Sequence, residues 1–248
     1  MSEEPQGRGV CLVVGAGDGL GAAIAHAFAR EGLRVCVTRR PRHSEAIDML
    51  AQAIRAEGGE AHAFGLDARI ESDVVALVER IEREIGAIEV LVFNIGANVR
   101  FPIVETTTRV YSKVWEMAAL AGFLTSREAA RGMIARGRGA MLFTGATASI
   151  RGAAGFSAFA GAKHALRALA QSLARERGPK GIHVAHVVID GAIDGAFIRS
   201  IMPDAAEKLM REAILVPDEI ARNYVWLYRQ KRSAWTFEMD LRPWSETW

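Results

Sequence analysis

The segment VCLVVGAGDGLGAAIAHAFAR, residues 10–30, constrains this chain more than any other. A short apolar run ends in a turn carrying Gly15, Gly17, Gly19 and Gly21 and passes directly into an alanine-rich amphipathic stretch. An apolar, β-branched run of this kind reads as a strand of a parallel sheet covered on both faces. Glycines between such a strand and a helix let backbone N–H groups and the helix N-terminus approach a dinucleotide pyrophosphate that side chains would hold away. The plainer alternative is a tight turn that only packs.

The same alternation runs along the chain. Strands are expected at 9–14, 34–38, 60–66, 88–94, 139–144 and 183–189, with a last one near 235–241. Helices are expected at 21–30, 44–57, 71–85, 107–136 and 156–177, and then one short helix and a longer one opened by Pro217 at a first-turn position. Strands alternating with helices predict an α/β fold: a doubly wound parallel sheet of Rossmann type in three αβα layers. No repeat or Pro/Ser-rich linker interrupts the pattern, so residues 1–248 are expected to form one domain.

Composition narrows the function. A net charge of +2, with 24% charged residues, provides no basic surface for a polyanion, and no nucleic-acid partner is expected. The two cysteines, Cys11 and Cys36, lie in short apolar runs without metal-type spacing and read as buried reduced thiols. The polar opening MSEEPQGRG lacks a basic start and an apolar stretch, so neither export nor a membrane anchor is expected and a cytoplasmic location is predicted. The histidines, among them His164, His183 and His186, show no ligand spacing, and no metal is expected.

Further motifs follow in order: GLDAR with Asp67 and Ala68, LVFNIGAN with Asn94, Ile95, Gly96 and Ala97, and VVIDGAID with Asp190 and Gly191. Together with the spacing of Gly15, Gly19 and Gly21, they resemble the short-chain dehydrogenase/reductase family over about residues 9–241. Phe93 and Asp190 stand where that family often has Asn and Pro. The resemblance implies a nicotinamide cofactor held by Gly15, Asp18, Gly19, Leu20, Asp67, Ala68, Asn94, Gly96, Lys163 and Gly191. At the end of the second strand VTRRPRH supplies Arg39, Arg40 and Arg42 where an acidic residue would favour NAD. Guanidinium forks suit a 2′-phosphate, so NADP(H) is expected in preference to NAD(H), although Asp18 in the glycine turn argues the other way. A solvated basic loop is the alternative for the arginines.

The catalytic positions carry over poorly. The lysine that the family uses to hold the nicotinamide ribose maps to Lys163, but the proton-transferring tyrosine one helical turn earlier maps to Phe159. The substrate-orienting serine maps to Ala146, with Thr144, Thr147 and Ser149 nearby, and the helix asparagine maps to Ala119. The threonine often found after the Pro-Gly turn maps to Gly195. Two readings stay open. One is an oxidoreductase acting on an iminium or strongly polarised alkene, oriented by Thr147, Ser149, Asp190 or Asp194. The other is a nucleotide-binding pseudoenzyme, or a non-redox cyclase or isomerase using the old substrate pocket. Asp190 reads as a substrate contact or as a plain turn residue. A small-molecule substrate is expected. Trp235, Trp244 and Trp248 cluster at the C-terminal end, where they could cover the pocket, meet a neighbouring subunit or simply pack, and the resemblance implies a homodimer or homotetramer.

Overall fold

A computed structural model describes residues 9–247. Seven parallel strands form one sheet in the order β3-β2-β1-β4-β5-β6-β7. They are β1 Val10–Val14, β2 Arg34–Arg39, β3 Ala61–Gly65, β4 Ile88–Phe93, β5 Gly139–Thr144, β6 Ile182–Ile189 and β7 Glu238–Leu241. Every pairing is parallel, as strand–helix–strand connections require.

Alternate side chains of each strand feed opposite cores. Cys11 and Val13 of β1 pack with Ile24 and Phe28 of α1 (Leu20–Arg30), Ile47 and Ile54 of α2 (Ser44–Ala56), and Tyr224 of a helix near the C-terminal end. Val10, Leu12 and Val14 face the other way, onto Val74 and Ile81 of α3 (Glu71–Glu84) and two long helices that follow β4 and β5. This is the expected three-layer αβα fold. Each fully buried Leu, Ile or Phe in these cores contributes about 1.5–3 kcal/mol. The connections after β1 and β4 leave to opposite sides of the sheet, which opens a crevice at the carboxyl ends of these adjacent strands.

Three elements differ from expectation. The helix expected over 107–136 is α4 (Thr108–Trp115) and α5 (Ala121–Arg136), joined by a π-helical turn over Glu116–Leu120. After α6 (Ser157–Arg177) and β6, two short helices replace the single one expected: α7 (Ala196–Ile201) and α8 (Ala205–Met210). Pro203 explains the break, because the residue before a proline is pushed out of helical geometry, and Met202 is extended at φ −121°, ψ 96°. The last helix, α9 (Pro217–Arg229), begins at the proline as expected. The last strand is shorter than expected, since Trp235 leaves the ladder to stack on His183 at 4.9 Å between ring centres. That is ordinary packing of the tail. Trp244 is exposed, its indole N–H donating to the Arg211 carbonyl, and Trp248 lies outside the described residues. Among the described residues, no helix is long and apolar enough to cross a membrane.

Candidate active site

The glycine turn sits at the mouth of the crevice. Gly15 has φ +94°, a left-handed conformation, and a Cβ there would lie 3.0 Å from the Asn94 backbone. At Gly21 a Cβ would lie 2.5 Å from the Gly15 carbonyl oxygen, so the first turn of α1 can fold this close only with glycine. Asn94, at the end of β4, ties the two strands together by donating its side-chain N–H to the Gly15 carbonyl at 3.0 Å. A Cβ at Gly19 or Gly96 would meet nothing within 4 Å, so these two glycines face open space.

That space is a cleft of about 310 Å³ lined by Gly15, Gly19, Leu20, Arg39, Arg40, Asp67, Ala68, Asn94 and Gly96, the residues expected there. Met117 of the π-helical turn and His43 line it too, and neither was anticipated. Cations crowd its β2 end. His43 is held below its ordinary value by loss of water contact and then by Arg39, Arg42 and Arg40. Arg40 is lowered first by desolvation and then by Arg42. Asp18 lies 3.9 Å from Arg39 and offsets little of this charge, being 80% exposed. Asp67 is engaged by Arg69, which donates two bonds to its carboxylate at 2.5 and 2.8 Å and holds it below the usual carboxylate range. Arg69 could not have been singled out from sequence. Ala97, also on the cleft, has φ +61°, a strained conformation for a residue with a Cβ.

A second cavity, of about 660 Å³, adjoins the first and shares Gly19, Leu20, Asn94 and Gly96 with it. Asp18, Gly191, Gly195, Lys163, Phe159, Ala146 and Thr147 line it. Lys163 and Phe159 are one turn apart on α6. The Lys163 ammonium is buried, donates to the carbonyls of Ile95 and Thr144 at 3.0 and 2.9 Å, and lies 5.9 Å from the centre of the Phe159 ring. Burial pulls its pKa down to about 8. The Phe159 ring packs with Val114 and Ala118, while Ala119 is buried in the π-helical turn and carries no polar group.

The hydroxyls expected to substitute for the serine separate clearly. The Thr144 hydroxyl points to the opposite side of the sheet, bonded to Tyr224 at 2.7 Å. Ser149 is fully buried and accepts from the Ala146 N–H at 3.1 Å, so it braces the turn and does not face the cavity. Asp194 is paired with Arg199 through two bonds at 2.8 and 2.7 Å. Among these residues Thr147 lines the cavity with its hydroxyl on the same side of the sheet as the site, and that hydroxyl donates a short bond to Asp190. The Asp190 side chain is 2% exposed, with Arg151 at 3.7 Å and Arg242 at 3.6 Å. Asp190 thus supports Thr147 from a buried position at the end of β6, through a bond that spans 43 positions of the chain. Arg151, absent from the expected site, lines the cavity. His164 is exposed and bonds the Ala160 carbonyl, away from the site.

Residues 9–205 match the family model of short chain dehydrogenases. The chain belongs to the short-chain dehydrogenase/reductase family. It is 33% identical over 178 residues to eriH, a short-chain dehydrogenase/reductase of Hericium erinaceus, covering 71% of each chain. It is 30% identical over 219 residues to the sorbitol-6-phosphate 2-dehydrogenase of Escherichia coli, covering 87% of this chain and 82% of that one. A crystal structure of a short-chain dehydrogenase from Rhodopseudomonas palustris is 47% identical, with a TM-score of 0.82 and coverage of 97% of this chain and all of the other. A metagenomic short-chain oxidoreductase solved in complex with NADP is 25% identical, with a TM-score of 0.78 over 95% of this chain and 97% of that one.

Proposed function

We propose that this family member is an NADP(H)-dependent oxidoreductase whose site lacks the usual proton donor, so that it acts slowly on ordinary alcohols and ketones. One observation carries the reading: a fully formed nucleotide cleft adjoins a buried Lys163 whose neighbour on the helix is Phe159. The cleft fits the cofactor. Gly15 and Gly21 sit where a Cβ would meet backbone, Gly19 and Gly96 leave open space, and the β2 end gathers Arg39, Arg40, Arg42 and His43, with Arg40 and His43 lowered first by desolvation and then by the neighbouring arginines. The NADP complex of the metagenomic relative supports the same cofactor class.

In this proposal Gly15, Asp18, Gly19 and Leu20 border the pyrophosphate at the start of α1, where oriented N–H groups favour anions. Arg39 and Arg40 take the 2′-phosphate and set the preference for NADP(H) over NAD(H). Asp67, Ala68, Asn94, Gly96 and Gly191 shape the rest of the cleft. When bound, the nicotinamide supplies a hydride equivalent. Lys163 uses two of its three N–H donors on carbonyls, and the third is available to a ribose hydroxyl. Phe159 and Ala146 exclude water from the substrate side but hold no proton to give. Loss of one such donor commonly lowers a rate by about 10²–10⁴.

A small-molecule substrate, one domain over residues 1–248, assembly as a homodimer or homotetramer and a cytoplasmic location belong to the same proposal. The open edge presented by β7 supports self-assembly, and the buried free thiols of Cys11 and Cys36 support a reducing compartment. Thermal unfolding with NADPH, NADH or 2′,5′-ADP at one shared concentration, about 100 times the Kd of NADPH, tests the cofactor assignment. NADPH is expected to raise the midpoint by about 5–10 °C and 2′,5′-ADP to act in the same direction, with NADH weaker. No shift with any of them would favour the pseudoenzyme reading.

A further inference from the structure

Thr147 and Arg151 both line the cavity beside Phe159, and the buried Asp190 stands behind the two of them. A hydroxyl has one proton to donate, and that of Thr147 is committed to Asp190. What Thr147 offers the cavity is therefore an oxygen lone pair, backed by a carboxylate. It cannot polarise a ketone oxygen, which needs a donor, but it can accept from a protonated nitrogen. Arg151 adds a second constraint. Arg151 lines the same cavity and its guanidinium approaches the same Asp190 oxygen at 3.7 Å, so a substrate carrying only positive charge would be repelled there. A carboxylate beside the nitrogen removes that conflict and matches the guanidinium fork.

We infer that this group of residues recognises an imino acid, a substrate with a protonated imine nitrogen adjacent to a carboxylate. The nitrogen is held by Thr147, the carboxylate by Arg151, and Asp190 acts as the positioning residue for Thr147. This rests on the NADP(H) reading above. The chemistry balances without a tyrosine: the carbon–nitrogen π bond breaks, its electron pair becomes the nitrogen lone pair, and carbon gains hydrogen with two electrons from reduced nicotinamide. The nitrogen already carries its proton, so no acid is needed at position 159 or 146.

The test uses the full-length protein with 1-piperideine-2-carboxylate as substrate, 1-piperideine and pyruvate as controls, and calorimetric titration of pipecolate in the presence of NADP⁺. Oxidation of NADPH by the carboxylated imine, at least 10-fold faster than by either control, is expected. Pipecolate should bind the NADP⁺ complex, weaken about 10- to 100-fold in Arg151→Gln and recover partly in Arg151→Lys. In Thr147→Val both binding and turnover should fall about 10-fold or more, with recovery in Thr147→Ser. Unchanged NADPH affinity in each variant shows that the fold and cleft persist. A wild type that binds NADPH but neither binds pipecolate nor reduces the imine overturns this inference and leaves the cofactor reading standing. Turnover unaffected by Thr147→Val also overturns it, and a wild type that binds no NADPH overturns both.

Discussion

The Lys163 ammonium lies 5.9 Å from the centre of the Phe159 ring, one helical turn away, so its charge faces π-electron density where a phenol oxygen would be tuned for proton transfer. On the proposed reading, the site keeps the electrostatic partner of a proton donor and replaces the donor itself. Ala146, at the expected serine position, offers nothing in its place.

Phe159→Tyr combined with Ala146→Ser should supply what is missing. The ring of Phe159 is buried, lines the same cavity as Lys163 and has its centre 5.9 Å from the ammonium. Reduction of a simple aromatic ketone by NADPH is expected to rise about 10²-fold or more over wild type, read as kcat/KM.

His43 should report phosphate binding directly. Desolvation, Arg39, Arg42 and Arg40 all disfavour its protonated form, so it titrates below 6.5 in the free protein. A dianionic phosphate placed among those arginines favours the charged imidazole, and an NMR titration should show its pKa rising on addition of NADPH but not NADH.

Gly21→Ala should damage the cleft. Its Cβ would lie 2.5 Å from the Gly15 carbonyl and 2.8 Å from the Ala16 Cα, both backbone atoms that cannot swing aside. A loss of about 1–3 kcal/mol in unfolding free energy is expected, together with weaker NADPH binding, measured by urea denaturation and calorimetry.

The acid limb of stability should carry a signature of His186. This histidine is fully buried, its Nδ1 is 2.9 Å from Glu238, and Arg167 grips that same carboxylate with two bonds of 2.6 Å. Burial dominates and pushes its pKa down to about 4, against 6.5 when unfolded. Between those values the unfolded chain binds more protons, so stability is complete above about pH 6.5 and falls as pH drops toward 4, by up to about 3 kcal/mol. His186→Gln should flatten that slope in denaturation curves run from pH 7 to pH 4.

Much of this was legible in the chain because it is local. The glycine turn, Asn94 and Lys163 declare themselves through neighbours within one strand–turn–helix unit, and the order of such units sets the parallel sheet. The parts that escaped depend on residues distant in sequence. Thr147 meets Asp190 across 43 positions and His186 meets Glu238 across 52, pairings that only the packing of β5, β6 and β7 creates. Ser149 and Thr144 looked equivalent to Thr147, but one is committed to a backbone N–H and the other faces the opposite core. The π-helical turn at Glu116–Leu120 has no breaker residue to announce it, since EMAAL suits an ordinary helix.

Direct titration with NADPH and NADH, followed by nicotinamide fluorescence in wild type and in Arg39→Ala, is the measurement that bears most on the account. A wild type that binds NADPH at least 10-fold more tightly than NADH, with the difference lost in Arg39→Ala, is the predicted result. Equal affinity for the two nucleotides would contradict the phosphate assignment, and binding of neither would contradict the cofactor cleft itself.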